Sequence, residues 1–151
     1  MKNLVKVVAV SALALSTSQV MATATDTFQA TLEVKPALTI EKVLGKDLKF
    51  PAAYIGQTGT IEVPASHTDA AQFDITGPDT ETVDVVINNS DPVILNNGGN
   101  TIPLALIAPS THTFSGSSGQ LLIGGTIDLT GITLVAGTYT TGAIDVAIKY
   151  Q

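Results

Sequence analysis

The sequence contains no cysteine, no tryptophan and no arginine; its seven basic residues are all lysines. Without cysteine there is no disulfide framework, no thiolate nucleophile and no thiolate metal site. Without arginine, in a chain of net charge −6, there is no basic face to neutralise phosphates. That excludes nucleic-acid binding and argues against attachment to anionic lipid. Four phenylalanines and three tyrosines are few for a carbohydrate site built on stacked rings. Beyond residue 22 no run is long and apolar enough to cross a bilayer as a helix, and none carries a helical period.

The first 22 residues have the order of a secretory leader. Lysines lie in MKNLVK, a short apolar run VVAVSALAL follows, and STSQVMA ends in small residues. Cleavage is expected after Ala22, with Ala24 as the alternative, and the product is expected in the periplasm and then at the cell surface or outside the cell. Residues 23–151 are the size of one domain, more acidic still once Lys2 and Lys6 are removed. Burial and backbone pairing alone must hold this domain together, which is feasible at this length.

Thr, Val, Ile, Gly and Ala dominate what remains, and β-branched side chains suit a pleated surface. Apolar and polar residues alternate in FQATLEV (28–34), GTIEV (59–63), QFDI (72–75) and TVDVVI (82–87). Longer runs are LTIEKV (38–43), TIPLALIA (101–108), QLLIGGTIDL (120–129) and AIDVAIKY (143–150). Turn signals separate them: Gly45, Gly56, Gly77-Pro78-Asp79, Asn96 to Asn100, and Ser115 to Gly119. Many short strands at this spacing predict an all-β domain, a sandwich or a small barrel. Three segments are expected: a signal peptide (1–22), an N-terminal arm (23–35) and a β-sandwich domain (36–151). Pro36, which cannot donate to a ladder, marks the break between arm and domain.

Chemistry is hard to find. His67 and His112 are distant and lie outside HxH or HExxH spacing, and read as solvated loop or strand-end residues. No serine sits in a nucleophile elbow. Asp69, Asp74, Asp79, Glu81 and Asp84 crowd one region, as calcium ligands do. Alternation favours a solvated acidic face, with Asp74 and Asp84 outward and Phe73, Ile75, Val83 and Val85 inward. NNGGN (96–100) reads as a tight turn, and Asn88-Asn89-Ser90 is a sequon that matters only in a glycosylating host. No catalytic residue, metal ligand or cofactor is expected, and the chain is read as a non-enzyme.

The two ends remain. Ile144, Val146, Ile148 and Tyr150 share one face of the closing strand, with Gly137 beginning the segment. Phe28, Ala30, Leu32 and Val34 form a second alternating ribbon of similar length. Either residues 28–34 are the first strand of the same sheet, or they are a donor strand that completes the sheet of a neighbour. A head-to-tail contact of the second kind does not close and generates a filament.

GTYTTGAIDVAIKYQ (137–151) resembles the C-terminal signature of chaperone–usher pilins: alternating apolar residues, a penultimate aromatic, and a glycine about fourteen residues upstream. FQATLEVKPALTIEKVLGKDLKFP (28–51) is similar to the pilin start, although its turn reads LKFP where pilins have an LxFG-like form and no cysteine stands near Ala37 or Leu38. The pairing of LLIGGTIDL with AGTYTTGAIDVAIKYQ is similar to small exported bacterial proteins grouped as domain of unknown function 4402. The resemblance implies an immunoglobulin-like, antiparallel Greek-key sandwich. It further implies a subunit of a surface fibre involved in cell adhesion, Phe28, Ala30, Leu32 and Val34 being the donor residues. Ile144, Val146, Ile148 and Tyr150 would form the strand a periplasmic chaperone captures. The implied partners are further copies of the chain, that chaperone and an outer-membrane usher. The alternative is a self-contained secreted or periplasmic sandwich that binds a ligand or a surface as a monomer.

Overall fold

Alternation along the chain becomes nine strands and no helix among the described residues. The structure is a computed structural model that describes residues 25–88 and 92–151. The expected leader, both cleavage sites and Asn89-Ser90 of the sequon lie outside them. The chain divides into two units, Met1–Glu33 and Val34–Gln151. In the first, the described residues carry no secondary structure and are exposed. The second holds all nine strands.

The strands are β1 (Thr39–Lys42), β2 (Thr60–Val63), β3 (Ala71–Thr76), β4 (Thr82–Asn88), β5 (Val93–Asn97), β6 (Asn100–Ile107), β7 (Thr111–Thr113), β8 (Ser118–Asp128) and β9 (Asp145–Tyr150). Six form a large sheet in the order β1-β3-β8-β6-β5, with β2 also on β8; three form a small sheet, β7-β4-β9. Every ladder among the described residues is antiparallel. The fold is therefore all-β and β-sandwich-like.

Strand β8, the longest, organises the large sheet. Its first half pairs with β3 and its second half with β2 on one side and β6 on the other. The residues joining β2 to β3 pass so close over β8 that no side chain fits beneath them. A Cβ on Gly124 would lie 2.2 Å from the Val63 carbonyl oxygen and 2.7 Å from the Ala65 amide. That is the structural reason for Gly124 in LLIGGTIDL; a Cβ on Gly125 would instead come within 2.8 Å of Leu104 and 2.9 Å of Leu48. NNGGN closes the β5–β6 hairpin, Asn97 opposite Asn100. Gly98 and Gly99 both have positive φ, 57° and 96°, as a two-residue hairpin turn twisted with its strands requires.

The interior splits into two apolar clusters. In one, Ile75, Leu121 and Ile123 of the large sheet meet Val83 of the small sheet, with Phe114 filling the space beside them. Val85, Ile87, Val146, Ile148 and Tyr150 pack against this cluster. In the other, Val93, Ile102, Leu104, Ile127, Leu129 and Leu134 carry the rest of the large sheet's inner face. Its cover is not a sheet but side chains such as Leu48, Phe50, Ile132, Tyr139 and Ile144. The small sheet is thus too narrow to cover the large one, and β9 ends it.

Candidate functional site

The closing strand meets β4 along one edge, with Ile87 opposite Val146, Val85 opposite Ile148 and Val83 opposite Tyr150. Its other edge has no ladder among the described residues. Val146, Ile148 and Tyr150 face the inter-sheet cluster, while Ile144 packs against the other one. The four residues expected on one face are therefore together on the interior side. They divide between two clusters because Ile144 precedes the ladder.

Beside β9 the interior is open. A cavity of about 550 Å³ has Lys42, Leu48 and Phe50 on one wall and Tyr139, Ile144 and Val146 on the other. Phe73, Leu95, Leu104, Leu106 and Ile123 of the large sheet are among its other lining residues. A second cavity of about 860 Å³ shares Leu48, Phe50, Leu95 and Tyr139 with the first and extends to Ile127, Leu129, Leu134 and the turn at Tyr54-Ile55. The two cavities adjoin at those four shared side chains, and together they are the groove beside β9. At its second end Tyr54 and Ile55 are 76% and 73% exposed on their turn.

The wall on the β9 side is built by the stretch that crosses from the large sheet to the small one. Thr140 exchanges backbone hydrogen bonds with Asn96 of β5, at 2.8 and 3.1 Å. The Asn97 side chain donates to the Ala136 carbonyl at 3.3 Å, and Tyr139 accepts from the Val135 amide at 3.0 Å. Gly137 lies in this crossing, not in the closing strand. Its φ of 140° is one reason for glycine there, and a Cβ would come within 2.5 Å of the Asn97 side chain. Past Thr140 the backbone no longer pairs with the large sheet, and it reaches β4 as β9.

At the far end of β9, Tyr150 makes contacts that alternation alone does not signal. Its hydroxyl donates to the Pro36 carbonyl at 2.5 Å. The Lys35 ammonium sits 4.9 Å from its ring centroid and is also ion-paired with Glu81. An aromatic ring and a carboxylate thus both hold the same lysine.

Of the second expected ribbon, Phe28, Leu32 and Val34 are 92%, 87% and 80% exposed, and Ala30 is exposed too. Residues 28–34 form no strand and have no ladder partner among the described residues, so of the two alternatives the first strand of the same sheet is not what is seen. The acids of 69–84 serve separate tasks. Asp74 is exposed opposite Glu41. Asp79 accepts from the Gly116 amide at 2.7 Å, Glu81 pairs with Lys35, and Asp84 accepts from Gln151 at 3.0 Å. Among the described residues no three His, Asp or Glu side chains are grouped as a metal site.

His67 is an exposed turn residue accepting the Asp69 amide at 3.2 Å. His112, expected in a loop or at a strand end, is half-buried in β7, edge-on to Phe114 with ring centroids 5.2 Å apart. Compared with protein-family models and with curated proteins, the chain matches none.

Proposed function

We propose that this chain is a structural subunit of a bacterial surface fibre, in which the N-terminal arm of one copy enters the groove beside β9 of the next. The observation that carries this reading is an incomplete sheet matched by an unpaired ribbon in the same molecule. The small sheet stops at β9 over an open apolar groove. Phe28, Ala30, Leu32 and Val34 offer four side chains on one face of an extended segment. Successive ones are about 7 Å apart, a spacing suited to filling such a trough while the backbone adds to β9's edge. The completed unit would be an immunoglobulin-like Greek-key sandwich. Exported in this form, the chain would need a periplasmic chaperone to cover the groove and an usher to pass subunits outward.

Purified mature protein should form a ladder in SDS without boiling that collapses to one band when boiled. Removing residues 23–35 should abolish that ladder. A stable monomer whose amides are protected throughout residues 28–34 would overturn the proposal in favour of a self-contained binding domain.

A further inference from the structure

The groove and the contacts around Tyr150 lie at opposite ends of β9. Ile144 and Val146 line the groove, and Tyr150, about 13 Å further along an extended strand from Val146, holds Pro36 and Lys35. Lys35, Tyr150 and Glu81 come together from three separate places in the chain. These are the root of the arm, the end of β9, and the turn between β3 and β4 that carries Glu81.

That turn is held in an unfavourable conformation. Thr80, β-branched, has φ of 63°, a region such residues rarely occupy. It is fixed there by two backbone bonds, Thr80 N–H to the Phe114 carbonyl at 3.1 Å and Phe114 N–H to the Glu81 carbonyl at 2.9 Å. Asp79, accepting from Gly116 at 2.7 Å, ties down the other side. Strain maintained by surrounding bonds marks a place where position matters. Here the position set is that of Glu81 against Lys35.

We infer that Lys35, Pro36, Glu81 and Tyr150 form a latch that fixes where the arm leaves its domain, and so favours exchange between copies over self-closure. The inference rests on the fibre reading above and deepens it. With its root held at Tyr150, an arm entering its own groove would have to run back towards Ile144. Its chain direction would then be parallel to β9. All seven ladders among the described residues are antiparallel, and parallel pairing is the weaker kind. The arm of a second copy carries no such constraint and can pair with β9 antiparallel. Lys35, Glu81 and Tyr150 are positioning residues; they donate no side chain to the groove.

The test separates donation from acceptance in full-length mature protein. Donation is read as the yield of boiling-sensitive ladder. Acceptance is read as binding of a synthetic peptide of residues 25–34 to a chain whose own arm is disabled by Phe28→Asp and Leu32→Asp. Combining Tyr150→Phe with Lys35→Gln should lower ladder yield about tenfold, the scale of freeing one ordered backbone residue. A monomer protected over residues 28–34 should accumulate in its place. Peptide binding should stay within about twofold of the parent, and Lys35→Arg, which keeps the cation, should restore the ladder. Unchanged laddering in the double variant overturns the latch alone. So does peptide binding that falls in step with the ladder, since that marks a merely structural role. If the unmodified chain neither ladders nor binds the peptide, the fibre reading falls and the latch with it.

Discussion

Replacing Phe28 and Leu32 together by alanine should leave the dilute monomer's stability unchanged and cripple its assembly. Both side chains are almost fully exposed, 92% and 87%. Truncating them removes nothing the isolated fold buries, and substitutions at such sites usually lie within about 0.5 kcal/mol of neutral. In an assembled fibre the same two side chains would be buried in an apolar groove. Each large side chain taken out of water contributes about 1.5–3 kcal/mol, so the pair contributes about 3–6 kcal/mol at most. That corresponds to about two to four orders of magnitude in the dissociation constant. Urea unfolding of dilute protein, followed by circular dichroism, measures the first quantity. The concentration at which boiling-sensitive ladders appear measures the second. The reasoning is refuted if the double variant loses more than about 1 kcal/mol as a monomer, for then the arm belongs to its own core. It is refuted equally if ladders form at the wild-type concentration.

Other perturbations test the domain itself. Gly124→Ala would drive a methyl group to 2.2 Å from the Val63 carbonyl, with backbone rather than a movable side chain in the way. We expect a loss of about 1–3 kcal/mol, measured by denaturant midpoint. Glu41 and Asp74 stand directly opposite on β1 and β3, a like-charge pair that destabilises a sheet. Glu41→Lys should raise stability by about 0.2–1 kcal/mol, an increment that shrinks when the denaturation is repeated in high salt. The Asp128 carboxyl is held below its ordinary range, first by the Thr130 amide, which donates to it at 2.9 Å, and then by the Thr130 side chain. A lowered folded-state value means its contribution is present at neutral pH and lost as pH falls through that value. Thermal scans of wild type and Asp128→Asn should therefore differ at neutral pH and converge below the carboxylate range.

Much of the sheet was legible because period-2 alternation survives wherever one strand face is buried. GTIEV, QFDI, TVDVVI, TIPLALIA, QLLIGGTIDL and AIDVAIKY all contain strands of the structure, with ends shifted by a few residues. Strands β5 and β7 were not legible. Val93–Asn97 runs into the asparagine-glycine turn it serves, and Thr111–Thr113 has one half-buried residue, His112, between two exposed threonines. A strand that short carries too few inward positions to make a pattern. Gly137 was marked out by the resemblance to a pilin ending, but the reason for it could not be read from the sequence. The asparagine that would collide with any side chain there lies forty residues earlier, across a crossing between two sheets.

The two termini show where reading by pattern reaches its end. Phe28, Ala30, Leu32 and Val34 alternate as regularly as Val146, Ile148 and Tyr150, yet the second set is bound into a ladder and the first is exposed. Alternation says which face of an extended segment is apolar; it does not say what will cover that face. For β9 the cover is supplied within the chain, by β4 alongside and by the cluster of Ile75, Val83 and Leu121 beneath. The groove poses the same question in reverse: Leu48, Phe50, Leu95 and Tyr139 line a trough with no strand in it. A ribbon lacking a trough and a trough lacking a ribbon, in one polypeptide, are each aggregation hazards if taken singly. Taken together across copies they are complementary halves of one ordered contact. Reversing one half should therefore be repaired by a neighbour rather than within the molecule. An arm carrying Phe28→Asp and Leu32→Asp on one copy, mixed with a wild-type copy, should cap chains and shorten ladders in proportion to its share.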